Sequence, residues 1–187
     1  MAGNPSNVPL WANADVLIYG GSTFTTDLPT SVTTAFATTP AWGVTGYKWG
    51  FLGLLSGDQG FDDARTWTEK DVNAWGYGAI MVASKDFKLE VKASFLEDNP
   101  VTEAIVWPGA TTTGIVVPQP AYYPVAFQRV DSAGNIYRRI TSRPARLWVQ
   151  NVKDVEGDVT PREVSIRVFP DSGFNLFTTQ SSVATEF

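Results

Sequence analysis

The residues best able to do chemistry fall in one acidic run, GLLSGDQGFDDARTWTEKDVNAWGYG at 53–78. Its carboxylates Asp58, Asp62, Asp63, Glu69 and Asp71 could hold a cation or work as a glycosidase-type acid and base, with Trp67 and Trp75 as sugar platforms. The plainer reading is a solvated loop in which Thr66 and Glu69 cap one helical turn. Composition favours the plainer reading. The chain has no histidine, so it lacks the usual general base near neutral pH and the commonest metal ligand. It has no cysteine, hence no thiolate nucleophile, thiolate metal site or disulfide framework. No hydrolase, transferase or redox activity is expected, and no cofactor or metal.

Two further clusters invite the same comparison. Asp154, Glu156 and Asp158 alternate like a calcium loop, but Gly157 follows Glu156 too early for an EF-hand, and a hairpin turn is the simpler account. Arg129, Arg138, Arg139, Arg143 and Arg146, with Tyr137, form the main basic cluster. As a functional patch it would grip nucleic acid; as a structural one it would pair with acids of the same or a neighbouring subunit. The chain carries 19 acids against 14 bases, a net charge of −5, which argues against gripping phosphates. There is no Walker sequence and no GxGxxG after a strand, and GATTTG at 109–114 reads as a flexible turn.

At 187 residues the chain suits one domain with a real core. No Lys or Arg precedes Lys48, so no basic leader is expected, and AIMVA at 79–83 is too short to cross a bilayer. Synthesis and folding in a cytoplasm, without a membrane partner, are expected.

The elements that must position these residues read mainly as strands. DVLIYG at 15–20 is a short strand, and a threonine-rich connection at 22–41 is a loop or a weak edge strand. WGVTGYKWGFLG at 42–53 and AWGYGAIMVASKD at 74–86 are strand-like. FKLEVKASFLED at 87–98 alternates cleanly, with Phe87, Leu89, Val91, Ala93 and Phe95 on one face. NPVTEAIVWPG at 99–109 predicts one short helix near 99–107, capped by Asn99, with Pro100 in its first turn and Pro108-Gly109 as the stop. YYPVAFQRV and NIYRRIT flank DSAG as a hairpin; ARLWVQNVK and PREVSIRVF flank DVEGDVT as another. The expected fold is mainly β: two packed antiparallel sheets, sandwich- or barrel-like, with one flanking helix.

Outside this frame lie an N-terminal arm at 1–14, a middle loop at 54–75 and a C-terminal arm at 171–187. Long irregular pieces in compact domains are usually functional. These carry Leu10, Trp11, Leu55, Phe61, Trp67, Trp75, Phe174 and Phe177, apolar groups that a lone subunit would struggle to hide. With Asp62, Asp63, Arg138 and Arg139 they make up the candidate contacts between subunits.

The order of the acidic run, a strand hairpin ending ASFLEDNP and a short helix closing in VWPG resembles the major tail tube proteins of long-tailed, non-contractile bacteriophages, most densely over 50–109. The resemblance implies a virion protein of two packed sheets and a flanking helix. Six copies would form a ring, and rings would stack into the tube through which the genome leaves. The 54–75 loop and both arms would join ring to ring. A tape measure protein and tail-end proteins would be partners, and DNA would pass through the lumen without specific binding. A carbohydrate-binding β-sandwich, also rich in tryptophan and acids, is the alternative from another class.

Overall fold

A computed structural model describes residues 9–157 and 159–183. Strands β1 (Trp11–Tyr19), β2 (Trp49–Phe51), β6 (Val125–Asp131), β7 (Ile136–Thr141) and β10 (Phe177–Ser181) form one antiparallel sheet, ordered β10-β7-β6-β1-β2. Strands β3 (Asp62–Ala74), β4 (Gly78–Phe95), β5 (Ala121–Tyr123), β8 (Ala145–Val149) and β9 (Arg162–Val168) form the other, ordered β3-β4-β9-β8-β5. The expected two-sheet β fold with one short helix is what the chain adopts.

Alternation builds the core. Leu89, Val91, Ala93 and Phe95 of β4 pair with Val168, Ile166, Val164 and Arg162 of β9 and turn one face inward. They meet Val16, Ile18, Val125 and Phe127 of the first sheet in a single cluster. Helix α1 (Pro100–Val106) covers this core with Val101 and Ile105. Asn99 caps it as expected: its side chain accepts hydrogen bonds from the Val101 and Thr102 amides at 2.9 and 3.0 Å. Gly50 is needed here, because a Cβ would come within 2.7 Å of both Trp42 and Val101.

The other face of the first sheet is buried too. The threonine-rich connection is irregular and lays Phe24, Leu28 and Phe36 over Leu17, Tyr19, Trp49, Ala126 and Ile140. Asp27 anchors it, accepting from Lys48 Nζ and the Tyr19 hydroxyl, both at 2.6 Å.

Several sequence expectations are corrected. The 54–75 segment is a loop only to residue 61: residues 62–74 are strand β3, and Thr66 and Glu69 lie in it rather than in a capped turn. An open strand exposed on both faces has no hydrophobic alternation to read. The strands expected at 74–86 and 87–98 are one strand, with the turn at 75–77. The strand expected over 42–53 shrinks to Trp49–Phe51. The terminal arms are partly sheet: 11–14 belong to β1, which pairs with β6, and β10 pairs with β7. The outer parts of both arms, 1–8 and 184–187, lie outside the described residues, as does Asp158.

Candidate assembly surface

Strand β4 is flanked by both β3 and β9 only from Leu89 to Lys92; it has β9 beyond that and β3 before it. Its pairing with β9 runs from Leu89 to Phe95; before Leu89 only β3 lies alongside. From Ala64 to Lys88 every residue is exposed except Ala74, which is partly covered. The outer part of this hairpin therefore leaves the sandwich as a bare two-stranded ribbon, roughly 30 Å long at about 3.3 Å per residue. Two bulges shape it. Asp86 and Phe87 together oppose Trp67, with Asp86 at φ 55°, and Ile80 is the extra residue near the tip. Gly76 and Gly78, at φ 81° and 76°, make the end turn.

The ribbon is apolar as well as bare. Trp75 and Tyr77 stand fully or almost fully in solvent, and Ile80, Met81 and Val82 each keep more than half their surface exposed. Two-stranded ribbons are marginal in water by themselves, and exposed apolar patches of this kind mark interaction sites. A second apolar run, Ile115, Val116 and Val117, is exposed in the connection between α1 and β5.

At the root of the hairpin the two sheets diverge and leave a groove of about 720 Å³. Asp63 on β3 accepts two hydrogen bonds from Arg139 on β7, at 2.6 and 3.2 Å, and closes its inner end. The Arg139 guanidinium also lies 5.1 Å from the Phe177 ring. Farther out, Arg129 sits 4.5 Å over Trp11, which meets Tyr137 edge-on, while Trp67 packs against Phe87 at 4.9 Å. Burial, with Arg139 nearby, pulls the Arg129 guanidinium below its usual value, against the favourable pull of Asp63.

The structure distributes the candidate residues unevenly. Trp75 and Phe174 are fully or largely exposed, and Leu10, Trp11 and Trp67 remain substantially so. Leu55, Phe61 and Phe177 instead pack against the core, Phe61 edge-on to Phe127, so a lone subunit does house them. Arg138 is buried and, among the described residues, meets no acid. It donates to Gln128, Gln180 and the carbonyls of Ser31 and Thr34, and lies over Phe36. Its work is to pin the threonine-rich connection, and the Arg139 partner, Asp63, is on the same chain. The basic cluster is thus dispersed: Arg129 and Arg139 face the groove, Arg138 the opposite side of the sheet, and Arg146 lies over Trp148 on the second sheet. Sequence reasoning missed Tyr77, Ile80, Met81 and Val82. The run AIMVA signals a strand in the sequence, and nothing in it separates an exposed strand from a buried one.

The carboxylates do not converge. Asp62 and Asp63 point to opposite sides of β3, Asp62 opposite Lys92, and Glu69 and Asp71 lie out on the ribbon. Asp154 pairs with Arg162 at 2.8 Å. Among the described residues no group of three or more acids could hold a metal ion, and no helix is long and apolar enough to cross a membrane.

Fold and surface together define an antiparallel two-sheet sandwich carrying one long unpaired hairpin. Neither family models nor curated proteins return a match to the chain.

Proposed function

We propose that this chain is a self-assembling structural subunit, and specifically a tail tube protein of a long-tailed, non-contractile phage. In this reading six copies form a ring, rings stack into a conduit for the genome, and the β3–β4 hairpin docks one ring on the next. The observation that carries the reading is the hairpin itself: a bare ribbon bearing exposed Trp75, Tyr77, Ile80, Met81 and Val82. Burying one tryptophan removes ~150–250 Å² from water, worth on the order of 4–6 kcal/mol before the cost of ordering is subtracted. That is a large return for contact with a partner. The sheet edges also suit lateral joining, since among the described residues the outer strands β3 and β10 each pair with a strand on one side only.

Negative-stain microscopy of concentrated protein tests the reading. Rings or tubes are expected. A monodisperse monomer that binds glycans on an array would replace it with the carbohydrate-binding alternative.

A further inference from the structure

We propose that the groove at the root of the β3–β4 hairpin receives the acidic face of the hairpin tip of a second copy of this chain. The inference rests on the assembly reading above and names the surface that the hairpin meets.

Charge identifies the occupant. Three guanidiniums, from Arg65, Arg129 and Arg139, line the groove against one carboxylate, Asp63, which Arg139 already occupies. Among the described residues neither Arg65 nor Arg129 meets a hydrogen-bond acceptor; Arg129 lies over the Trp11 ring and feels Asp63, which Arg139 holds, only at longer range. Two positive groups are left for a guest, between aromatic walls.

The hairpin tip has the matching face. Cross-strand partners share a side of a ribbon. Glu69 lies opposite Ser84 and Asp71 opposite Val82, so toward the tip that side carries two carboxylates and no base, Arg65 lying on the same side only at the root. The other side carries Lys70 and Lys85, with Ala83, Val72 and Met81. Only one side of the ribbon suits the groove. Apolar area adds to the match. Trp75 and Tyr77 at ~150–250 Å² each, with Val82 on the acidic side, offer on the order of 500 Å², a smaller patch than the roughly 800 Å² per partner of a standard interface and one that repetition along an assembly would reinforce.

The occupant must be another copy. Asp71 lies six residues beyond Arg65 on one extended strand, roughly 20 Å away, and the strand cannot fold back on its own root. Tip and groove are different surfaces of one molecule, so the contact is heterologous. A copy whose tip is docked keeps its own groove free for the next tip, which makes growth head to tail.

The natural absence of cysteine gives a clean test. Copies carrying Asp71→Cys are mixed with copies carrying Arg129→Cys at assembly concentration, and an added oxidant is supplied. The mixed disulfide dimer should exceed that from Lys70→Cys with Arg129→Cys by about tenfold, since docking raises the effective concentration of the correctly facing thiol. Arg65→Cys, at an exposed position, should behave as Arg129→Cys does and guards against a folding defect. Equal yields from the two faces of the ribbon, or no mixed dimer, would overturn the proposal. Microscopy of the same samples separates the two readings. Tubes without the cross-link would sink the groove pairing alone, whereas the cross-link without tubes would uphold the pairing and sink the tube.

Discussion

The two halves of β4 make the most useful comparison in the molecule. From Leu89 to Phe95 the strand pairs with β9, with β3 on its other side as far as Lys92 and Leu55 and Ser56 beyond it, and turns Leu89, Val91, Ala93 and Phe95 into the core. From Gly78 to Lys88 the same strand keeps β3 but loses β9, and everything on it is exposed. Yet the outer half has the longer apolar run, Ala79 to Ala83. Apolar sequence is therefore not what separates core from arm here. The presence of a third strand and a facing sheet is. The arm has strand-forming residues and lacks only a partner.

Substitutions should expose that contrast. Phe95→Ala, in the inner half, should cost about 3–5 kcal/mol of monomer stability in urea unfolding, because it opens a cavity in a fully buried site. Ile80→Ala, in the outer half, should change the same measurement by no more than about 0.5 kcal/mol while weakening assembly. A comparable loss at both positions would mean that the arm packs on its own body. At the junction between the halves, Asp63→Ala should cost about 2 kcal/mol by stripping the mostly covered Arg139 of its charged acceptor. A null result there would reduce the pair to a surface contact.

Acid should act on the body and spare the arm. Hydrogen bonds from Lys48 first, then Tyr19, hold Asp27 below its ordinary value. Its contribution is therefore full above the unfolded value of about 3.9 and lost as pH falls through the lower folded value. Asp131 and Asp171, bonded to nearby amides and asparagines, have the same sign, whereas burial raises Asp15 and gives it the opposite one. Asp27→Asn should be less stable than the parent at neutral pH, with the two converging below about pH 4 as Asp27 protonates in the parent. Thermal melts across pH check this, and a gap that persisted in acid would point to packing rather than charge.

A small effect of the opposite sign is expected at a turn. DSAGN at 131–135 and DSGFN at 171–175 fold alike: each aspartate accepts from the amides two and four residues on. The fourth position is left-handed in both, Gly134 at φ 85° and Phe174 at φ 63°. A phenylalanine there is strained and largely exposed, so Phe174→Gly should raise monomer stability by about 1 kcal/mol. If it also weakens assembly, the strain serves to present the ring.

How much of this was legible depended on whether an element had a dry side. FKLEVKASF announced its inner face by alternation, and Asn99-Pro100 announced the helix start by capping chemistry. TWTEKDVNA gave no such signal, because wet faces on both sides impose no period, and its acids looked like loop. For the candidate contacts, sequence could show that Trp67, Trp75 and Phe174 were large and apolar. It could not show that Phe61 and Phe177 would find Phe127, or that Arg138 would turn beneath a connection more than a hundred residues earlier. Those pairings are long-range and are set by the sheet order.

Hydrogen exchange at the backbone amides of residues 66–88, followed as concentration rises, tests the central claim most directly. In dilute protein these amides should exchange far faster than those of 89–95, and in concentrated protein they should become protected together with the Trp75 and Tyr77 turn. Equal protection of both halves in the dilute monomer, or no gain on concentration, would contradict the claim that the arm is a docking element awaiting a second copy.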